Sequence, residues 1–164
     1  MADVSNSKIM NAATGIPDAK DACIVLVKTE WNAAIVDELE RGCIAKLKEF
    51  DVRKIVTVVV PGAIEIPFGI RTYWENKKKK PDAFIALGCV IRGGTPHFEY
   101  VCKAVTEGVL HLNLTLPIPT IFGLLTVENE HQATDRIGGK HGHRGEESAM
   151  AALKMISLQK SLEK

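Results

Sequence analysis

The chain has 164 residues, 21 basic and 20 acidic side chains, 46% hydrophobic residues and only 5% aromatics. That length fits one domain with a largely aliphatic core, needing neither disulfides nor a structural metal to hold it. Balanced charge gives no broad field for nucleic acid or an anionic membrane, and no apolar run approaches the roughly 20 residues of a membrane span. Residues 1–20 are polar, lack a signal-peptide core and read as a loose arm, with a short strand near 8–10. The domain proper is expected over 21–164, in the cytoplasm. A buried strand is expected at 22–27, then a helix at 29–49 with Val36, Leu39, Cys43 and Leu47 on its inner face. The β-branched run 55–60 reads as the clearest strand, and Pro61-Gly62-Ala63 turns it into a helix over 64–76. Lys77 to Lys80 reads as a solvated helix end.

The next segment carries the chemistry. The apolar run 84–91 is a strand, broken at Arg92-Gly93-Gly94, and a helix over 95–112 follows. Thr95 is placed at its N-cap and Pro96 at its first position, with Val101, Val105, Val109 and Leu112 facing inward. Glycines before a helix terminus let backbone N–H groups face an anion, and the helix dipole favours negative charge there. His97 lies in that first turn, where the dipole disfavours the imidazolium, so it reads either as an acid–base group or as a packed histidine.

A fourth strand is expected at 120–125, and Thr126 is expected to cap a short helix with Glu128 and Glu130 in its first turn and Arg136 in its last. After a loop at 138–145, a final helix over 146–162 buries Ala149, Ala152, Leu153 and Ile156. Strands alternating with helices imply a parallel sheet covered on both faces, with ligands at the carboxyl ends of its strands. Arg92, Arg136 and Arg144 are candidate anion ligands, each with solvent exposure as its alternative. Glu65 either accepts hydrogen bonds from ligand hydroxyls or only serves a helix dipole. Trp31 either stacks on a planar ring or packs in the core or an interface. His141-Gly142-His143, with no Asp, Glu or Cys in the loop, is a weak metal pattern. The four cysteines have no C-x-x-C spacing and read as buried thiols.

Five segments together resemble the lumazine synthase family: Thr29-Glu30-Trp31-Asn32, Val60 to Pro67, Gly88 to Val101, Phe122 to Thr126, and Gln132 to Arg136 with the glycines that follow. They occur in that family's order and spacing, over about 22–160. The resemblance implies a flavodoxin-like, single-domain three-layer α/β/α sandwich around a four-stranded parallel sheet. It implies condensation of 5-amino-6-(D-ribitylamino)uracil with 3,4-dihydroxy-2-butanone 4-phosphate to 6,7-dimethyl-8-ribityllumazine, phosphate and water, in riboflavin biosynthesis, without cofactor or metal. By the same resemblance His97 moves protons, and Arg136 holds the phosphate with backbone groups of Gly94 and Thr95. Trp31 stacks on the pyrimidine, Ala63, Ile64 and Glu65 hold the ribityl chain and ring, and Cys89, Val90 and Ile91 line the ring's edge. Phe122 enters from a neighbouring subunit.

Two departures stand out. His143-Arg144-Gly145 replaces the family's frequent Asn-Lys-Gly, so Arg144 keeps a charge but not its shape, with Glu147 placed to pair with it. Cys89 is unusual, but a backbone contact is expected there. A homo-oligomer is implied, a pentamer, and the short 138–145 loop leans toward a shell of twelve pentamers; riboflavin synthase is a further expected partner. The competing readings are a non-catalytic flavin or lumazine carrier and a shell protein without activity.

Overall fold

The computed structural model describes residues 7–10, 16 and 19–163. Four strands, β1 (Cys23–Thr29), β2 (Lys54–Val60), β3 (Ala83–Ile91) and β4 (Thr120–Val127), form one sheet in the order β2-β1-β3-β4. Every pairing in that sheet is parallel. Among the described residues five α-helices accompany it: α1 (Ala33–Glu49), α2 (Ile66–Asn76), α3 (His97–Thr115), α4 (Glu130–Thr134) and α5 (Arg144–Leu162).

Strand residues alternate between the two faces, because successive side chains point to opposite sides. Ile24, Leu26, Ile85, Leu87 and Leu125 pack with α1 and α5 through Val36, Leu39, Cys43, Ala149 and Leu153. Val25, Val27, Phe84, Ala86 and Leu124 pack on the other face with Ile66 and Ile70 of α2 and Val105 and Val109 of α3. The result is the expected three-layer sandwich. Burial on both faces explains why β1 and β3 read as continuous apolar runs.

Some local expectations are corrected. Residues 8–10 form no strand: 9 and 10 make a turn, and the Lys8 carbonyl accepts from Lys154 Nζ of α5, 2.9 Å away. The rest of the arm falls largely outside the described residues. β2 has the strongest strand composition but is an edge strand, with Val56 and Val59 exposed. The first helix starts four residues later than expected, because Asn32 takes a left-handed conformation (φ 56°) that ends the turn after β1. A 3₁₀ turn at Ala63–Glu65 precedes α2.

Thr95 does not cap α3: Pro96 occupies that position and the helix begins at His97. Thr126 continues β4 because it still pairs with Val90 of β3. Asn129 caps α4 instead, its side chain accepting the Gln132 N–H at 3.0 Å. The 138–145 loop contains part of a small antiparallel hairpin, β5 (Ile137–Gly139) with β6 (Gly142–His143), and α5 starts at Arg144 rather than 146.

Candidate active site

The chain leaves β1 to build β2 on one side and β3 on the other, so the order reverses between β1 and β3. At such a switch point the loops diverge and leave a crevice beyond the strand ends. A cleft of about 440 Å³ opens there, lined by residues following β1 (Trp31, Asn32) and β2 (Gly62 to Glu65) and by the last three residues of β3, with His97 and Val101 of α3 closing it. Eight of the residues singled out from sequence line this one cleft: Trp31, Ala63, Ile64, Glu65, Cys89, Val90, Ile91 and His97.

Local geometry explains the gathering. Glu30 and Trp31 donate their backbone N–H groups to the carbonyls of Val60 and Pro61, tying the β1 loop to the β2 loop. Asn32 donates its side-chain amide to the Cys89 carbonyl at 2.8 Å, tying the same loop to β3. A side chain at Gly62 would come within 2.9 Å of a Glu65 carboxylate oxygen and 3.4 Å of the Trp31 ring. Glycine therefore lets these two groups approach each other. Trp31 is 73% exposed, an unusual state for an indole and one suited to covering a planar ligand. Asn32, Gly62, Thr29 and Val101 were not singled out as site residues. The tolerance of asparagine for left-handed backbone was the available signal for Asn32.

Next to this cleft, Gly93 and Gly94 have nothing within 4 Å of where a side chain would begin. No side chain caps α3, so amide groups of its first turn are left for solvent or an anion. Arg92 is not free for that anion. Its guanidinium is paired with both Glu99 and Glu128 and lies 4.2 Å from the centre of the Phe98 ring. Cys89 is buried and its thiol is pushed up to about 11 by that burial, so it remains protonated at neutral pH.

Thr95 lies with Gly94 in the segment between β3 and α3, and the other three expected residues lie elsewhere. Arg136 lines a second cleft, of about 360 Å³, with Thr126, Val127, Gln132, Asp135 and His141. Phe122 is half-buried on β4 against the core shared by α2 and α3. Arg144 donates to the Phe122 carbonyl at 2.7 Å and to Glu147 at 3.1 Å, the acidic pairing expected from sequence. Its backbone N–H also donates to the Arg136 carbonyl at 2.7 Å, so the three residues belong to one connected unit. Among the described residues no cluster of three His, Cys, Asp or Glu side chains is grouped to hold a metal, and no helix is long and apolar enough to cross a membrane.

A doubly wound parallel sheet with a polar-edged cleft at its switch point, an exposed ring and an imidazole defines a small-molecule enzyme of the α/β class. Residues 21–160 match the family described as 6,7-dimethyl-8-ribityllumazine synthase, and the chain belongs to that family. It is 45% identical over 145 residues to the 6,7-dimethyl-8-ribityllumazine synthase of Parabacteroides distasonis, covering 87% of this chain and 89% of that one. The proteins of the same name from Bacteroides fragilis and Cytophaga hutchinsonii are 46% and 41% identical over 141 and 156 residues. These alignments cover 85% and 93% of this chain, and 97% of each relative.

Proposed function

We propose that the cleft condenses 5-amino-6-(D-ribitylamino)uracil with 3,4-dihydroxy-2-butanone 4-phosphate, giving 6,7-dimethyl-8-ribityllumazine, phosphate and water. The observation that carries this reading is the convergence of eight expected residues, from two loops, the end of β3 and α3, on a cleft of small-molecule size. The pyrimidine stacks on Trp31 with its edge against Cys89, Val90 and Ile91, and the ribityl chain lies along Ala63, Ile64 and Glu65. The 5-amino group is itself the nucleophile, so no serine or cysteine need be activated. It attacks the butanone carbonyl and a first water leaves as the imine forms; phosphate is eliminated, and the ribitylamino nitrogen closes the ring on the second carbonyl with loss of a second water. His97 moves the protons at each stage. Holding both substrates together contributes up to about 7–11 kcal/mol, so most of the rate gain is assigned to positioning.

The phosphate is held by backbone groups at Gly94 and Thr95 and by Arg136. Because Arg136, Phe122 and Arg144 lie off the His97 cleft as one connected unit, they complete the cleft of a neighbouring copy rather than their own. A homo-oligomer follows, a pentamer in this reading, with the short 138–145 loop favouring assembly into a shell of twelve. The exposed Val56 of edge strand β2, in one groove with the exposed Phe68 of α2, is a surface that a second copy would cover. Riboflavin synthase, which takes up the product, is the further partner, and the cytoplasm is the place of action.

Purified protein supplied with the two substrates should form the fluorescent lumazine, and a chelator should leave the rate unchanged. Activity that requires an added divalent cation overturns the cofactor-free mechanism. Tight binding of lumazine or riboflavin with no turnover would establish the carrier reading instead.

A further inference from the structure

His143 is 9% exposed and lines neither cleft, yet three elements meet on its ring. It ends β6 and caps α5, its Nδ1 accepting the Gly145 N–H at 3.2 Å. An accepting Nδ1 leaves the ring proton on Nε2. That nitrogen is buried without a hydrogen bond, 3.5 Å from Glu38 Oε1 of α1. A side chain at Gly42 of α1 would come within 2.1 Å of the ring's Cε1 and 2.4 Å of Nε2. The imidazole therefore fills the space that a side chain on α1 would take. Gly145 is pressed against the same turn, since a Cβ there would lie 2.0 Å from the Leu39 carbonyl oxygen. On the hairpin side, His143 pairs with Ile137, the residue after Arg136, and the next residue's N–H donates to the Arg136 carbonyl.

We propose that His143 is a positioning residue for phosphate recognition: seated on Gly42 and capping α5, its ring fixes the 136–144 segment against α1 and so sets where Arg136 stands. The inference rests on the reading of Arg136 as the phosphate ligand. An ångström-scale misplacement of a binding group can cost up to about a hundredfold, so a loosened hairpin should be visible in kinetics.

Steady-state kinetics on the assembled protein test this, varying each substrate separately. His143→Ala should raise KM for the phosphorylated butanone by about tenfold, while KM for the aminouracil moves less than about twofold. His143→Asn, whose side-chain oxygen can accept the Gly145 N–H, should recover most of that loss. Gly42→Ala should reproduce the defect by displacing the ring, and adding His143→Asn should relieve it, which keeps the test decisive if His143→Ala fails to fold. Equal effects on the two substrates, a normal KM in folded Gly42→Ala, or no recovery with Asn overturns the proposal. Arg136→Ala separates the two layers: if it leaves the phosphorylated substrate's KM unchanged, the reading of Arg136 fails. If it raises that KM while His143→Ala and Gly42→Ala do not, the positioning role fails.

Discussion

Trp31 is an exposed side chain whose surroundings hold its backbone in place and leave room beside its ring. Its backbone is fixed to Pro61, Thr29 donates its hydroxyl to the Trp31 carbonyl at 3.2 Å, and Gly62 leaves room beside the ring. A ring so placed stacks at little entropic cost, and aromatic pairs contribute about 0.5–1.5 kcal/mol beyond their buried area. Riboflavin should therefore quench the protein's fluorescence, and Trp31→Ala should remove most of the quench. Trp74, half-buried against the core of α2 and α3 with Lys80 4.9 Å from its ring centre, should contribute little. A quench lost only in Trp74→Phe would move the ligand away from the switch-point cleft. Cys89 makes the opposite case. Burial holds its thiol and that of Cys43 protonated, and the thiolate is the reactive form, so iodoacetamide at about pH 8 should leave both unlabelled and turnover intact. Mass spectrometry of the treated protein checks this, and modified Cys89 would mean that the β3 strand end opens in solution.

At the scale of elements, the seam between α1 and α5 depends on Glu38 as well as on close packing. Arg41 hydrogen-bonds the Glu38 carboxylate, and together with His143 it holds that carboxyl below its usual value. A lowered folded pKa stabilises fully above the unfolded value of about 4.3, and the contribution is lost as pH falls through the folded value. Arg41 is exposed, so solvent screens the pair and its contribution is small. Glu38→Gln should lower stability modestly at neutral pH, and the difference from the parent should close as pH falls through the folded value, below the unfolded one. Urea unfolding across that range measures it; a constant difference would show that the amide perturbs packing instead. The elements themselves were legible wherever burial and periodicity agreed, as in β1, β3 and the inner face of α1. They were misread where a single residue decided the boundary. Asn32 delays α1 through its left-handed backbone, and strand pairing with Val90 outweighs the capping tendency of Thr126. The β5–β6 hairpin, three residues against two, was too short to leave a periodic signal.

For the whole molecule, the meeting of the loops around His97, one half of the site, was legible because each follows a strong strand, whereas Ile64, Cys89, Val90 and Ile91 were assigned through the family resemblance alone. The other half could not be placed, because local sequence does not say which cleft Arg136 faces or which copy it serves. The separation of the two sets gives the most direct test of a shared site. Under the proposed shared site, His97→Ala should disable the cleft of its own chain while leaving the Phe122, Arg136 and Arg144 unit, which His97 does not touch, intact. Phe122→Asp does the reverse, provided that a charge at this half-buried position blocks ring binding without unfolding the chain, which circular dichroism of the single variant checks. Each parent oligomer should be inactive. After dissociation and random reassembly, some boundaries unite an intact His97 cleft with an intact Phe122 unit from the other parent, and activity should return in proportion to those boundaries. Arg136→Ala in place of Phe122→Asp should complement in the same way, with recovery seen mainly as a lowered KM for the phosphorylated substrate. Mixed oligomers that demonstrably form and remain as inactive as their parents would show that each chain builds its site alone.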